Sequence, residues 1–279
     1  MSTIMTPQPK KRQIVENATK KRCDLTFNQQ VIADLKDVTP CQIGRAVTEL
    51  CAYFTSLHFQ EVVLSPFTAY PIDYLGEVID VPEIGQLRFN TEPEIWEHCG
   101  SLGRFFSTST LFRKEKTLNL LRRSAFSIVD FYQPGSPESM LTIFEGILKT
   151  LAKAGLLARL HQLPIDHAQY DVASDGPVQL TLEPRWVVAI GYDAAHSFFE
   201  ADEKGNSTRC ELFLVTPIGF LEIAALGIVG WNRNPDYVFR CGSNKVPSPF
   251  PHLSGMGFGL ERLLLAEQVL AGAERIQQK

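Results

Sequence analysis

Gly255-Met256-Gly257-Phe258-Gly259-Leu260-Glu261-Arg262 runs, near the end of the chain, into an apolar-faced helix marked by Leu263, Leu264, Leu265 and Val269. Glycines at alternate positions let a backbone approach a ligand closely, and the arginine follows in the first turn of a helix, where phosphate oxygens can be met. The spacing imitates a dinucleotide-binding fingerprint. That fingerprint opens a βαβ unit and needs a second strand and a ribose-binding acid downstream; here only a helix follows, so a Rossmann reading fails. No Walker A sequence occurs either, so any ATP must be bound by another device. Taken alone, the segment reads equally well as a tight turn feeding a packed helix with a solvated Arg262.

Upstream, strands are expected over Gln179 to Leu182, Trp186 to Ile190, Cys210 to Val215 and Phe220 to Leu226, with Lys204-Gly205-Asn206 as a turn signal. Ser136-Pro137-Glu138 starts a helix with Leu141, Phe144, Ile147, Leu148 and Leu151 on one face and Gly155 as its stop. Before it, Phe105 to Glu115 and Arg123 to Gln133 form a hairpin around a basic loop, Lys116 to Arg122. Thr39-Pro40 is an N-cap followed by proline at the first helical position; Ile43, Ala46, Val47, Leu50 and Phe54 mark that helix's apolar face, and Phe59 to Pro66 reads as a strand stopped by proline. A hairpin and helices on a largely antiparallel sheet make the fold α+β.

Two further clusters bear on chemistry. Arg113 and Glu115 share a face at the end of the hairpin's first strand, where a guanidinium can clamp phosphate and a carboxylate can accept from an exocyclic amine. On the returning strand Phe126, Ile128, Asp130 and Tyr132 share a face. Glu222 stands alone in the apolar run Gly219 to Ala225, and a buried acid must find a partner or a metal. Singly, an R-x-E is most often a surface ion pair and Glu222 an edge-strand acid.

A chain of 279 residues, 44% hydrophobic, buries a substantial core, and its net charge of -4 provides no global attraction for nucleic acid. The exception is residues 1–22, where Lys10, Lys11, Arg12, Lys20, Lys21 and Arg22 face Glu16 alone. We read residues 1–38 as a basic, flexible N-terminal extension and 39–279 as one domain. Six cysteines without regular spacing indicate neither zinc nor a disulfide framework, and no apolar run suits a signal peptide or membrane span, so a reducing cytoplasm is expected.

The order and nature of the three clusters resemble the class II aminoacyl-tRNA synthetases over roughly residues 41 to 275. Phe54 to Pro66 looks like motif 1, Phe112-Arg113-x-Glu115 through Phe126 like motif 2, and Gly255 to Arg262 like motif 3. Motif 3, with Gly-Phe-Leu-Glu-Ile, is similar to the pyrrolysyl, phosphoseryl and phenylalanyl branch; Thr91-Glu92-Pro93-Glu94 resembles the lysyl and aspartyl branch. The resemblance implies an antiparallel sheet flanked by helices, a homodimer built through motif 1, and ATP-dependent activation of an amino acid as its adenylate. It implies Arg113 on the α-phosphate, Glu115 on the adenine amine, Phe126 against adenine, Gly257 and Gly259 beside the nucleotide and Arg262 on the γ-phosphate. It also implies Mg2+ on Glu222 with Glu211 as second acid, and substrate recognition by Glu94, Asp130 and Tyr132.

Departures stand beside it. Ala125 replaces the glutamate common before the stacking phenylalanine, Arg122-Arg123 occupy the loop where histidine is frequent, and Val215 sits where the lysyl and aspartyl branch has its second acid. An anticodon-binding barrel does not fit before motif 1. The expected acceptor is either the acceptor end of tRNA, gripped by Lys114, Lys116 and the basic arm, or a small amine, ammonia, a carrier or another protein, and the missing barrel favours the latter. A non-catalytic binding subunit is the third reading.

Overall fold

The computed structural model describes residues 33–68, 78–91, 103–115, 118–170, 183–190, 210–217, 219–228 and 253–277. Glu94, Lys116, the basic arm, the Gln179 to Leu182 strand and the Lys204-Gly205-Asn206 turn lie outside these residues.

Helix α1 (Pro40–Ser56) starts with a complete capping box: Thr39 Oγ1 accepts the Gln42 N–H at 3.2 Å and Gln42 Oε1 accepts the Thr39 N–H at 2.9 Å. Its buried residues Ala46, Leu50 and Phe54 recur every four positions, so one stripe meets the core. The strand expected after it is much shorter. Only Gln60–Glu61 (β1) pair, although Val62 still donates to the Phe106 carbonyl at 2.8 Å. The segment has a single neighbour at the sheet edge, and Val63 is 84% exposed. The last cross-strand bond, from Val62, comes four residues before Pro66.

A small sheet follows, β2 (Phe67–Thr68), β3 (Asp80–Val81) and β4 (Gly85–Leu87), with β4 in the middle. Then comes the hairpin of β5 (Phe105–Phe112) and β6 (Ala125–Pro134), in continuous register from Phe105↔Tyr132 to Phe112↔Ala125. Because β5 stops at Phe112, Arg113 and Glu115 are not alternating strand residues. The Arg113 N–H closes on Ser124 O at 2.9 Å and the Glu115 N–H on Arg113 O at 3.1 Å, so turn geometry, and not the pleat, places this pair.

Helix α2 (Pro137–Lys153) buries Met140, Leu141, Ile143, Phe144, Ile147, Leu148 and Leu151, and Gly155, at φ +70°, ends the turn that follows. The Tyr53 hydroxyl of α1 donates to Ile143 O at 3.2 Å directly above Gly146, where a Cβ would lie 1.8 Å from that oxygen. Glycine inside this helix lets the two helices meet. A 3-10 turn (Leu160–Gln162) leads to β7 (Ile165–Tyr170), and β8 (Arg185–Ile190), β9 (Cys210–Thr216), β10 (Gly219–Ile228), β11 (Leu253–Gly259) and α3 (Leu260–Gln277) complete the order.

The eight-stranded sheet runs β1-β5-β6-β11-β10-β9-β8-β7. Its centre is antiparallel, and only the outermost pairs β1/β5 and β7/β8 are parallel. The α+β class read from the sequence is the one found. Partners in register share a face, so Phe106, Phe131, Met256, Leu226 and Cys210 form one row, and Val129, Phe258, Ala224, Leu212 and Val188 the next. Both rows belong to the main core, under α1, α2 and α3. Phe144 sets its ring edge-on to both Phe258 and Trp186, at 5.8 and 5.6 Å.

Residues 34–38, assigned from sequence to the extension, pack on this domain. Leu35 and Val38 are buried, and the Gln268 side-chain amide bonds both the N–H and the carbonyl of Lys36 at 2.8 Å, as a neighbouring strand would.

Candidate active site

The opposite face of the sheet holds nearly every residue singled out above. Its middle row reads Ser107, Asp130, Gly257, Ala225, Glu211 across five strands; beside it run Phe105, Tyr132, Gly255, Gly227 on one side and Ser109, Ile128, Gly259 on the other. The glycines are strand residues, not a tight turn. From Gly255 to Gly259, β11 sets no side chain on this face. Ala225 and Gly227 extend the bare strip onto β10.

Parity on β10 is corrected by an irregularity. Glu222 pairs with Phe213 and Ala224 with Leu212, so one residue is inserted between them. A bulge reverses the alternation. Glu222 and Ala225 thereby share the site face, while Ile223 and Ala224 both join the core. Glu222 thus occupies an interior strand, not an edge. Glu211 is its diagonal neighbour on the same face, roughly 7–8 Å away by the usual sheet spacing, and is almost fully buried. Among the described residues no group of three or more acidic, histidine or cysteine side chains could hold a metal. Two carboxylates on one face suit Mg2+, which takes one or two acids and completes its octahedron with phosphate oxygens and water.

Asp130 is buried and accepts from Thr91 Oγ1 at 2.7 Å; its carboxylate leans over β11, so that a Cβ on Gly257 would sit 2.1 Å from its Oδ1. Tyr132, one step along, stacks on Phe105 with ring centroids 4.9 Å apart. At the far end of β6 the Arg113 guanidinium lies between two rings, 4.8 Å from Phe89 and 5.1 Å from Phe126. Phe89 had no part in the sequence reading. The residue that covers Phe126 here is therefore Arg113 itself.

Arg262, half-buried in the first turn of α3, is aimed by two backbone carbonyls: it donates to Leu121 O at 3.1 Å and to Glu222 O at 3.4 Å. The basic loop is likewise tied down. Asn119 Oδ1 receives the N–H groups of Leu121 and Arg122 at 2.9 and 3.0 Å, Leu121 is buried, and Arg123 bonds Leu120 O and the Asp37 carboxylate. That hydrogen bond holds the Asp37 carboxyl below its ordinary pKa. Glu261, beside Arg262, was given no role from sequence; its carboxylate accepts from Ser127 N–H at 2.8 and 2.9 Å and from Ser127 Oγ at 2.9 Å. No local pattern reveals this partner, because Ser127 lies on another strand 134 residues away.

No family model and no curated protein sequence matches the chain. Solved structures do. The asparaginyl-tRNA synthetase of Pyrococcus horikoshii, complexed with asparaginyl-adenylate, superposes with TM-score 0.62 at 12% identity over 95% of this chain and 70% of its own. The fold is that of a class II synthetase core. The Entamoeba histolytica asparaginyl-tRNA synthetase gives 0.60 at 14% identity alone and 0.58 at 12% with asparaginyl-adenylate, each over 97% of this chain and 70% or 69% of the other. At such identities it is the class II architecture that is shared. Among the described residues no helix is long and apolar enough to cross a membrane.

Proposed function

We propose that this protein binds ATP across the glycine-lined face of β11 and activates an amino acid as its adenylate. The observation that carries the reading is the bare strip Gly255, Gly257, Gly259, Gly227 and Ala225, flanked near its Gly259 end by Phe126 and Arg113 on the β6 side and by Arg262 and Glu222 on the α3 and β10 side. A strip of backbone in the middle of a sheet has no packing purpose on that side; it suits a flat ligand lying against main chain.

In this reading Phe126 takes the adenine face and Glu115 its amine, while Arg113 meets the α-phosphate and Arg262 the γ-phosphate. Glu222 with Glu211 would hold a Mg2+ ion, which supplies charge neutralisation of the phosphates. Asp130, buried and carrying a hydrogen bond from Thr91, receives a polar or cationic donor of the substrate, with Tyr132 beside it and Glu94 taking the ammonium. The reaction asks for no nucleophile from the protein. A substrate carboxylate oxygen attacks the α-phosphorus, the bond to the β-phosphate oxygen breaks, and pyrophosphate leaves. The enzyme's part is to hold reactants in line and to place positive charge where negative charge builds.

The adenylate then passes to an acceptor, for which we favour tRNA through Lys114, Lys116 and the basic arm. Dimerisation through α1 and the edge strand β1 accords with exposed Val63 next to a strand that, among the described residues, pairs on one side. A cytoplasmic site of action accords with these substrates. Pyrophosphate exchange into ATP over a panel of amino acids, with and without tRNA, tests the proposal. Exchange with one amino acid is expected; tRNA charging or amide formation with small amines then identifies the acceptor. Absence of exchange with every amino acid would remove the adenylation reading.

A further inference from the structure

β11 stops at Gly259, which pairs with Ile128, while β6 runs on through Ser127 and Phe126 to Ala125. On the β11 side the Ser127 N–H therefore has no backbone carbonyl to meet. The Glu261 carboxylate fills that place with both oxygens, at 2.9 and 2.8 Å, and takes the Ser127 hydroxyl at 2.9 Å. Glu261 is 9% exposed and sits in the first turn of α3, where the helix favours a negative charge. A side chain thus continues the sheet for one more rung, at the residue next to Phe126, from the residue next to Arg262. On its other edge this stretch of β6 is held by β5, through Thr110↔Ser127 and Leu111↔Phe126. Glu261 ties it by hydrogen bonds to the helix that carries Arg262.

We infer that Glu261 is a positioning residue of the nucleotide site: by chelating Ser127 it fixes the separation between Phe126 with Arg113 on one side and Arg262 on the other, and so the width of the cleft that receives ATP. The inference rests on the ATP site proposed above. Glu261 itself touches neither phosphate nor base. It acts through Ser127 and through its own place in the chain beside Arg262, and its contribution is geometric before it is electrostatic. A glutamine keeps the reach with one acceptor in place of two, its amide oxygen accepting the Ser127 N–H and its amide nitrogen donating to Ser127 Oγ. Alanine leaves a half-buried N–H without its acceptor and lets the end of β6 move.

The test measures ATP affinity by calorimetry and pyrophosphate exchange on the full chain, with thermal unfolding of each variant followed separately. For Glu261→Ala a loss of ATP affinity on the order of tenfold is expected in the folded protein, since sub-ångström displacements of a binding constellation carry costs of that size. Glu261→Gln should restore affinity to within about threefold of the wild type, because it keeps the hydrogen-bond geometry. If Glu261→Ala does not fold, Glu261→Asp, shorter by one methylene, replaces it, and the same weakening is expected. A variant that unfolds at lower temperature yet binds ATP as the wild type does would make Glu261 a purely structural clamp and overturn the inference. Equal losses in Glu261→Gln and Glu261→Ala would overturn it as well, since charge and not geometry would then be at stake. Wild-type protein that fails to bind ATP removes the site itself, an outcome distinct from unchanged affinity in the variant.

Discussion

The two faces of β11 follow opposite rules. Toward the helices the strand sets Met256 and Phe258, both buried in the main core, and Ser254, whose hydroxyl donates to Gly135 O at 2.6 Å. Toward the other side the stretch from Ser254 to Gly259 sets Gly255, Gly257 and Gly259. One face is filled to stabilise the fold; the other is emptied, at some cost in strand stability, to keep backbone accessible. The contrast extends across the sheet. The rows beside Phe258 and Met256 are apolar from β6 to β9, whereas the rows beside Gly257 carry Ser107, Asp130 and Glu211. Polar groups buried in one face of a sheet are expensive unless partnered or used. Stability and function are therefore separable within a single strand, by parity.

The largest effect expected from that separation belongs to the two arginines flanking the Gly259 end of the strip. Arg262→Ala and Arg113→Ala should each lower ATP-dependent exchange by roughly 100-fold or more, the scale seen when a charge-stabilising group is removed. Both should leave a cooperative thermal transition within a few degrees of the wild type, about the shift of 1 kcal/mol in a domain this size. Arg262 donates to backbone carbonyls that water can satisfy in its place, and Arg113 lies over two rings on a half-buried surface. Undiminished exchange in either variant would erase the functional half of the contrast.

Phe258 and Gly257 break the comparison from within one strand. Phe258→Ala removes a ring packed edge-on against Phe144 and should cost about 3–5 kcal/mol of stability, read by denaturant unfolding. Gly257→Ala adds a methyl that meets Asp130 Oδ1 at 2.1 Å, and Thr91 holds that carboxylate in place. The overpacking should cost about 1–3 kcal/mol, and KM for the amino acid should rise more than that loss of stability would explain, because Asp130 must turn aside. Should Phe258→Ala impair exchange in the folded protein as strongly as Gly257→Ala does, the faces are not independent.

Much of this fold was legible along the chain, and the reasons are local. Thr39, Pro40 and Gln42 announce α1 because a capping box is written within four residues; Ser136-Pro137 and Gly155 bracket α2 in the same manner. The hairpin, β8, β9 and β10 were readable from apolar runs between turns. What escaped depends on distant partners. The β7 edge forms against β8 in parallel, a pairing with no turn to signal it, and the short sheet β2-β4-β3 has strands of two or three residues, too brief for periodicity. At the site, Arg113, Phe126, Glu222 and Arg262 stood out by residue type and spacing, and the structure sets them around the Gly259 end of the strip. The insertion after Glu222 and the role of Glu261 were invisible, since each depends on where a neighbouring strand slips or stops.

The smallest effect is expected where the two sides of the sheet are joined. Residues 34–38 lie on the helix side, through Leu35, Val38 and the Gln268 amide; Asp37 reaches from them to Arg123, in the loop whose Leu121 carbonyl orients Arg262. The pair is open to solvent, with the Asp37 side chain 60% exposed, so Asp37→Asn should cost less than about 1 kcal/mol. Its pH dependence has a definite sign. The hydrogen bond to Arg123 lowers the carboxyl's pKa in the folded chain, so the unfolded chain binds the proton more readily. The contribution is thus present above the ordinary aspartate value near 3.9 and fades as pH falls below it toward the folded value. Wild type and Asp37→Asn should accordingly differ most at neutral pH, with the gap closing in acid and in high salt. If instead Asp37→Asn weakens ATP binding severalfold while barely moving the unfolding midpoint, the strap on the stability side reaches the loop on the functional side, and parity alone no longer separates the two.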